Sequence, residues 1–395
     1  MDHRHRSSKR YPHRVCRRFD MDANTPDGLL RWFGDLEDPR PGHNVMHRLS
    51  DMLAIAILAV LCGADSWVDV ATFGRCRLAW LRTFLSLPHG IPSHDTFGRV
   101  FGRLNPVQFE KCFMNWMAAV AQSDVRWIAL DGKTLRHSFD HASEKAAIHM
   151  ISAFSQANQL VLGQLATEAK SNEITAIPQL LELLDLQGAV VTTDAMGCQK
   201  AIAAKIVDQG GDYLLQIKDN HPSLHEDLQL LFAEGMRKDC LGVAYEFTED
   251  TDAGHGRIET RRLWTTEEVD WYAQADQWKG LARFICVEAI RQVGGKRSTA
   301  RRYYLSSCRH ATPESLLATI RGHWGIENGL HWCLDVSFNE DASRIRQGNA
   351  AENFSRLRRL ALNLLRQDKT LKIGLKAKTK ACSWDHQYLM HILKQ

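Results

Sequence analysis

Two aspartates follow apolar stretches typical of buried strands, and this placement would bring acidic side chains to one edge of a sheet. Asp131 comes directly after residues 125–130, and Asp194 directly after residues 188–193. The carboxyl ends of neighbouring strands meet where open α/β folds bind ligands. Carboxylate oxygens favour hard cations such as Mg²⁺ or Mn²⁺. The pair therefore predicts a divalent-metal site, although an aspartate after a strand is also a common turn former.

A third acid lies in a later segment with regularly spaced polar residues. His323, Glu327 and His331 are four residues apart and would share one face of a helix. The pattern predicts a helix packed against the site, with Glu327 as the third carboxylate. Two other interpretations stay open. In the first, this face of the helix is exposed to solvent and its histidines have no function. In the second, the three residues bind zinc, but the His-Glu-x-x-His motif of metallopeptidases is absent.

The elements that must position these acids are strands alternating with helices. Residues 121–235 predict the order β-β-β-α-β-α-β-α, which indicates a mixed sheet flanked by helices. We expect an α/β fold in four parts. These are a disordered basic arm at residues 1–21, an all-helical N-terminal domain at 22–120, a catalytic domain at 121–366 with a strand-rich insertion at about 240–310, and a basic C-terminal tail at 367–395.

Composition excludes several classes of protein. The 395 residues are 44% hydrophobic and 24% charged, which excludes wholesale disorder, a collagen-like fibre and a small disulfide scaffold. The ten cysteines are scattered, and the longest apolar run is too short to span a bilayer, so we expect a cytoplasmic protein. The net charge is +4, but residues 1–18 alone contribute +6, so the rest of the chain is slightly acidic. A nucleic-acid partner must therefore be recognised by local basic patches.

Three basic stretches stand out within this acidic body. Residues 291–302 sum to +5, residues 344–380 sum to +9, and residues 255–261 place basic side chains on one face of a strand. Each predicts contacts with phosphates, and each has a plainer interpretation as a solvated hairpin, a solubilising tail or a wet strand face. The predicted DNA-binding side chains in these stretches are Arg257, Arg261, Lys296, Arg297, Arg356 and Arg359.

Six segments of the sequence match motifs of a known family. They are residues 131–136, 193–195, 216–220, 255–261, 323–328 and 331–336. Together they resemble the RNase H-like DDE transposases of bacterial insertion sequences, and they are most similar to the branch of H-repeat-associated proteins. The resemblance runs from about residue 22 to about residue 366.

The resemblance implies a fold, a reaction and partners. The fold would be RNase H-like, and Asp131, Asp194 and Glu327 would bind two Mg²⁺ ions, with Mn²⁺ as an alternative. The reaction would be in-line displacement at phosphorus, first by water at the element's ends and then by a DNA 3′-hydroxyl at the target. The partner would be double-stranded DNA, both the terminal inverted repeats and the target. A homodimer is expected because two DNA ends must be paired. The protein would act at the nucleoid, and no membrane partner is expected.

The resemblance also adds DNA contacts and leaves two rival functions open. One rival is an RNase H-like nuclease that cuts branched or RNA-containing substrates without strand transfer. The other is a DNA-binding remnant without chemistry that represses its own element. Terminal inverted repeats beside the gene would favour the transposase. The additional DNA contacts that the resemblance implies are Lys133, Arg136, Lys218, Arg321 and His323.

Overall fold

The N-terminal part of the chain is helical, as predicted. The computed structural model describes residues 29–42, 45–120, 127–139, 146–167, 173–237, 243–254 and 256–394, so the predicted basic arm and His255 lie outside the described residues. A 3₁₀ turn at Leu29–Phe33 precedes five helices. These are α1 (Leu49–Leu61), α2 (Trp67–Cys76), α3 (Leu78–Leu81), α4 (His94–Arg103) and α5 (Pro106–Val120).

The middle of the chain has the predicted alternation of strands and helices. Three strands come first and are followed by helices that alternate with two further strands. In chain order they are β1 (Trp127–Thr134), β2 (His149–Ser155), β3 (Leu160–Thr167), α6 (Glu173–Glu182), β4 (Val190–Thr193), α7 (Lys200–Asp208), β5 (Asp212–Ile217) and α8 (Pro222–Arg237).

The predicted insertion is strand-rich and extends the same sheet. Its strands are β6 (Glu246–Gly254), β7 (Arg257–Thr266), β8 (Arg283–Val293) and β9 (Lys296–Ser306). β9 pairs antiparallel with β5, which gives one nine-stranded sheet in the order β3-β2-β1-β4-β5-β9-β8-β7-β6. β1, β4 and β5 are parallel to one another, while β2 and β3 are antiparallel neighbours of β1. This arrangement confirms the RNase H-like mixed sheet.

The C-terminal part is helical to its end. The helices are α9 (Pro313–His323), a π-helical turn (Glu327–His331), α10 (Trp332–Phe338), α11 (Ala350–Gln367), α12 (Leu375–Trp384) and α13 (His386–Leu393). The expected basic tail therefore contains two helices. The physical reason is the apolar spacing of Leu389, Ile392 and Leu393, which are buried in the same core as α1. Within the described ranges, no helix is long and apolar enough to cross a membrane.

Helices cover both faces of the sheet. On one face, α6, α7 and α8 pack against alternate residues of the strands, including Ile128 and Leu130 of β1. On the other face, Ala129 joins a core formed by the N-terminal helices and α10 to α13. α9 covers the outer strands through Leu316, Leu317 and other apolar residues. Because side chains alternate along a strand, Asp131 points to the same face as Ala129, toward the C-terminal helices.

The helical core encloses Arg356 and Arg359, so the prediction that they contact DNA is wrong. Arg356 lies between Glu110 and Glu352, at 2.7 Å from an oxygen of each. Arg359 pairs with Glu340 at 2.9 Å, and both of those side chains are fully buried. Buried charges of this kind persist only when opposite charges and hydrogen bonds compensate them. The arginines are therefore structural.

Removing the Arg359 guanidinium should destabilise the fold. We expect Arg359→Ala to lower the free energy of unfolding by about 3–5 kcal/mol, because Glu340 would lose a buried partner. Urea denaturation followed by circular dichroism measures the change. The control is Arg297→Ala at an exposed position, which should change stability by less than about 0.5 kcal/mol. Equal effects of the two substitutions would contradict the buried pair.

Candidate active site

The first two carboxylates are brought together by the pairing of β1 and β4. These strands are parallel, and Leu130 is the register partner of Thr193. The next residue of each chain segment is an aspartate, so Asp131 and Asp194 lie side by side at one edge of this pair. Asp131 does not end its strand, because β1 continues to Thr134 by pairing with β2. Asp194 follows β4 directly, as predicted.

The third carboxylate is presented by the π-helical turn between α9 and α10. Ile326 and Leu330 are buried in the core on either side of Glu327, whose own side chain is 55% exposed. The turn is an irregularity of the kind often found at functional sites, since widening the helix redirects its side chains. It places an oxygen of Glu327, an oxygen of Asp131 and a nitrogen of His331 within 4.8 Å of one another.

The negative charges of Glu327 and Asp194 repel that of Asp131. Burial and the negative charges of Glu327 and Asp194 raise the pKa of Asp131 to about 7. A carboxyl group held under such conditions stays protonated to unusually high pH unless a cation neutralises its neighbours. Asp194 is held by its own loop, because its Oδ1 accepts hydrogen bonds from the backbone N–H groups of Met196 and Gly197 at 3.0 and 3.2 Å.

The donor set fits a divalent metal. His331 lies beside the acids with its Nδ1 3.7 Å from Asp131 Oδ2 and 3.8 Å from Glu327 Oε2. Burial and the positive charges of Arg359 and Lys133 lower its pKa to about 3, so the ring is neutral. Its Nε2 is buried without a hydrogen-bond partner among the described residues. Carboxylates and a neutral imidazole are ordinary metal ligands.

His323 belongs to a different environment, which contradicts the zinc interpretation. Its Nδ1 lies 3.0 Å from Thr192 Oγ1 of β4, and burial lowers its pKa to about 4. The zinc interpretation needed His323 beside Glu327 and His331, and the structure gathers Asp131 there instead. The neutral ring is tied to the sheet through Thr192, and its predicted phosphate contact stays a prediction.

Lys133 is also structural, so its predicted contact with DNA is wrong. The side chain is 9% exposed, and its ammonium bonds to Asp335 of α10. It also lies 3.4 Å from oxygens of Glu340 and Asp341. These contacts join β1 to the segment that follows Glu327.

The other predicted DNA contacts on loops and hairpins are exposed. Arg136 is 75% exposed and lies 3.3 Å from Asp341. Lys218 follows β5 at the same sheet edge as Asp194, and its loop is fixed to the loop after β4 by Asn220, which donates to the Ala195 carbonyl at 2.6 Å. Lys296 and Arg297 are exposed at the start of β9. Their positions agree with the predicted contacts, which stay predictions.

A basic groove lies beside Glu327, between α9 and the outer strands. Its volume is about 520 Å³, and it reaches Asn328 in the π-helical turn. The Arg302 guanidinium lies 5.4 Å from the ring centre of Trp324, a contact that holds both side chains in the groove. Arg321 pairs with Asp250 and lies 3.4 Å from Asp252. The charged lining residues are Asp252, Arg257, Glu259, Arg261, Arg291, Arg302 and Arg321.

Comparison with known proteins identifies the family. Residues 123–364 match the family described as "Transposase DDE domain". The chain belongs to the DDE transposases. Residues 30–117 match the family described as "DDE_Tnp_1-associated". These matches cover the two regions that the sequence segments indicated, and they confirm the resemblance.

Relatives of the chain extend over nearly its whole length. The H repeat-associated putative transposase YhhI of Escherichia coli (strain K12) is 42% identical over 92% of this chain and 97% of its own length. The putative transposase YncI of Escherichia coli O157:H7 is 43% identical over 92% of this chain and 94% of its own length. A cryo-EM structure of the piggyBac transposase synaptic complex with hairpin DNA aligns with 98% of this chain and 83% of its own, at 10% identity and a TM-score of 0.45.

A second layer supports the acids of this transposase, and sequence reasoning missed it. His149 of β2 pairs with Glu173 of α6, and its Nδ1 lies 2.9 Å from Thr134 Oγ1. Both His149 and Glu173 are buried directly against Gly132, where a side chain would overlap them. Nothing in their sequence positions signalled this pair. For Asp335 a sequence signal existed, because it lies in the segment of residues 331–336 that resembles the family.

Adding a methyl group at Gly132 tests this close packing. We expect Gly132→Ala to lower the free energy of unfolding by about 1–3 kcal/mol, because the new Cβ would displace the pair of His149 and Glu173. Gly254→Ala is the matched control, since Gly254 is also in a strand and its added Cβ would meet nothing within 4 Å. Urea denaturation of both variants measures the difference. A Gly132→Ala protein as stable as the control would refute the contact.

Proposed function

We propose that the chain is an active transposase of a bacterial insertion sequence, which binds the element's ends, cleaves them and joins them to target DNA. One observation supports this most directly. Asp131 and Asp194 follow paired residues of β1 and β4, Glu327 comes within ligand distance of Asp131, and the charges of Glu327 and Asp194 both act on Asp131. Three carboxylates so close together repel one another, which favours a site that receives cations.

The residues present would hold divalent metal ions. Asp131, Asp194 and Glu327 would be the carboxylate ligands, and the negative charges of the other two already act on Asp131. Oxygen ligands favour Mg²⁺, with Mn²⁺ as an alternative. In such sites a bound pair of ions activates the attacking oxygen and stabilises the leaving oxygen of an in-line displacement.

The groove next to Glu327 would bind the DNA strand that enters the site. Arg257 and Arg261 of β7 and Arg302 of β9 line it, and arginine is suited to phosphate because its guanidinium presents parallel N–H donors. Arg261 Nη2 pairs with Glu259 at 2.8 Å, while its Nη1 is buried without a hydrogen-bond partner among the described residues. A phosphate oxygen would satisfy that remaining donor.

The reaction would take place in two displacements at phosphorus. Water would attack the phosphodiester at an element end and release a DNA 3′-hydroxyl. That hydroxyl would then attack a phosphodiester of the target, which joins the two DNAs and releases a new 3′-hydroxyl. No protein side chain needs to bond to DNA covalently. Two copies of the chain would act together, because two ends must be paired.

The rival functions make different predictions for purified protein. A structure-specific nuclease would cut branched DNA without joining ends to a target. A repressor remnant would bind DNA without cutting it. The intact set of Asp131, Asp194 and Glu327 favours the enzyme, since a remnant has no use for acids held where their charges repel one another.

Substitution of each acid tests the chemistry. We expect Asp131→Ala, Asp194→Ala and Glu327→Ala each to reduce Mg²⁺-dependent cleavage at least about a hundredfold while duplex binding changes less than about threefold. The substrate is linear DNA that contains the gene with its natural flanks, and nicked, cleaved and joined products are separated by electrophoresis. Asp270→Ala, an exposed acid elsewhere, is the control. Full cleavage by the Glu327→Ala protein would remove Glu327 from the site.

Substitution of two adjacent arginines on opposite faces of β7 tests whether the groove binds DNA. Arg261 lines the groove, whereas Arg262 pairs with Glu249 on the other face at 2.5 Å. We expect Arg261→Ala to weaken duplex binding and to reduce the slope of log affinity against log salt by about one, because one phosphate contact is lost. Fluorescence anisotropy at several salt concentrations measures both quantities. Equal effects of Arg261→Ala and Arg262→Ala would contradict the proposed path of the strand.

A further inference from the structure

His331 has a geometry that a structural role does not explain. Its side chain is 8% exposed, and Nδ1 points between Asp131 and Glu327 at 3.7 and 3.8 Å from their oxygens. These distances exceed a hydrogen bond. They suit two ligands of one ion, because metal–ligand bonds of about 2.0–2.2 Å place neighbouring ligand atoms about 3–4 Å apart.

The surroundings of His331 leave its ring without another function. Among the residues that the structure describes, nothing hydrogen-bonds its buried Nε2. The nearby cations are already occupied, since Lys133 bonds to Asp335 and Arg359 bonds to Glu340. The π-helical turn begins at Glu327 and ends at His331, so the same irregularity orients both side chains. A buried polar ring that lacks partners and faces two carboxylates is arranged as a ligand.

We propose that His331 supplies a nitrogen ligand to the ion that Asp131 and Glu327 bind, so that the site favours Mn²⁺ relative to Mg²⁺. This rests on the proposed function of the acids as a metal site, and it adds a ligand and a preference among ions. Mg²⁺ strongly prefers oxygen ligands. Imidazole nitrogen instead strengthens binding of the first-row transition ions. A site with carboxylates alone would not gain this preference.

Measuring metal binding in the absence of DNA tests the ligand role of His331 independently of DNA cleavage. Titration calorimetry with MnCl₂ and with MgCl₂ would compare the wild-type protein, His331→Gln and His323→Gln. We expect His331→Gln to weaken Mn²⁺ binding at least about tenfold and Mg²⁺ binding less than about threefold. His323→Gln is the matched control, because that neighbouring histidine is tied to Thr192 away from the acids. Equal weakening of both ions by His331→Gln would overturn the proposal.

A spectroscopic measurement gives an answer even if His331→Gln fails to fold. Pulsed electron paramagnetic resonance of the wild-type protein with substoichiometric Mn²⁺ should show coupling to one imidazole ¹⁴N nucleus. Its absence from protein that binds Mn²⁺ would overturn the proposal. Thermal melting without metal would establish whether the variant folds.

Asp131→Ala distinguishes this inference from the proposed function. If Asp131→Ala abolishes binding of both ions while His331→Gln changes neither, the acids form a metal site and only the ligand role of His331 fails. If the wild-type protein binds neither ion in the calorimeter and gives no bound-Mn²⁺ signal, the metal site fails, and with it both the ligand role and the proposed chemistry.

Discussion

The ammonium group of Lys133 is the constraint on which the candidate active site depends. Lys133 lies two residues after Asp131 on β1, and its partners Asp335, Glu340 and Asp341 follow Glu327 in the chain. A buried charge is tolerated only when its partners are present, so this strand and this helical segment must dock together. Docking brings the acids of the two segments into one site. The ion pairs of Lys133 thus help to position the neighbouring acids Asp131 and Glu327.

Helix α11 makes this docking rigid by bonding to parts of the chain far from it in sequence. Asn353 donates to the carbonyls of Phe101 and Leu104 at 2.8 and 3.1 Å, and Asn363 donates to the Val161 carbonyl at 2.8 Å. The helix therefore holds the N-terminal helices and β3 together. Buried amide groups that donate to backbone carbonyls favour one arrangement, because any slip would break these hydrogen bonds. The N-terminal helices are consequently part of the scaffold that supports the acids.

The parts of the site that the sequence could predict are those fixed by local pattern. Strand alternation and the position of Asp131 and Asp194 near parallel strand ends were enough to infer that the two acids meet. The burial of Arg356 was not accessible in this way, because its partner Glu110 is remote in sequence and charge counting cannot distinguish a surface arginine from a paired one. Residues 367–395 contain the helices α12 and α13, and the apolar end of this basic stretch packs into the helical core.

Holding the three carboxylates close together has an electrostatic cost that the surrounding scaffold must offset. Because the folded protein raises the pKa of Asp131 to about 7, it holds a proton that the unfolded chain releases near pH 4. Between these values the folded state binds more protons, so in the absence of cations this group makes the fold less stable as pH rises. Lys133 cannot relieve the repulsion, since it is committed to Asp335, Glu340 and Asp341. The scaffold therefore maintains an unfavourable concentration of negative charge at one point, while the arginines of the groove are kept a short distance away. With the acids and the arginines arranged in this way, the acids are suited to bind cations and the nearby arginines are suited to bind a phosphodiester strand.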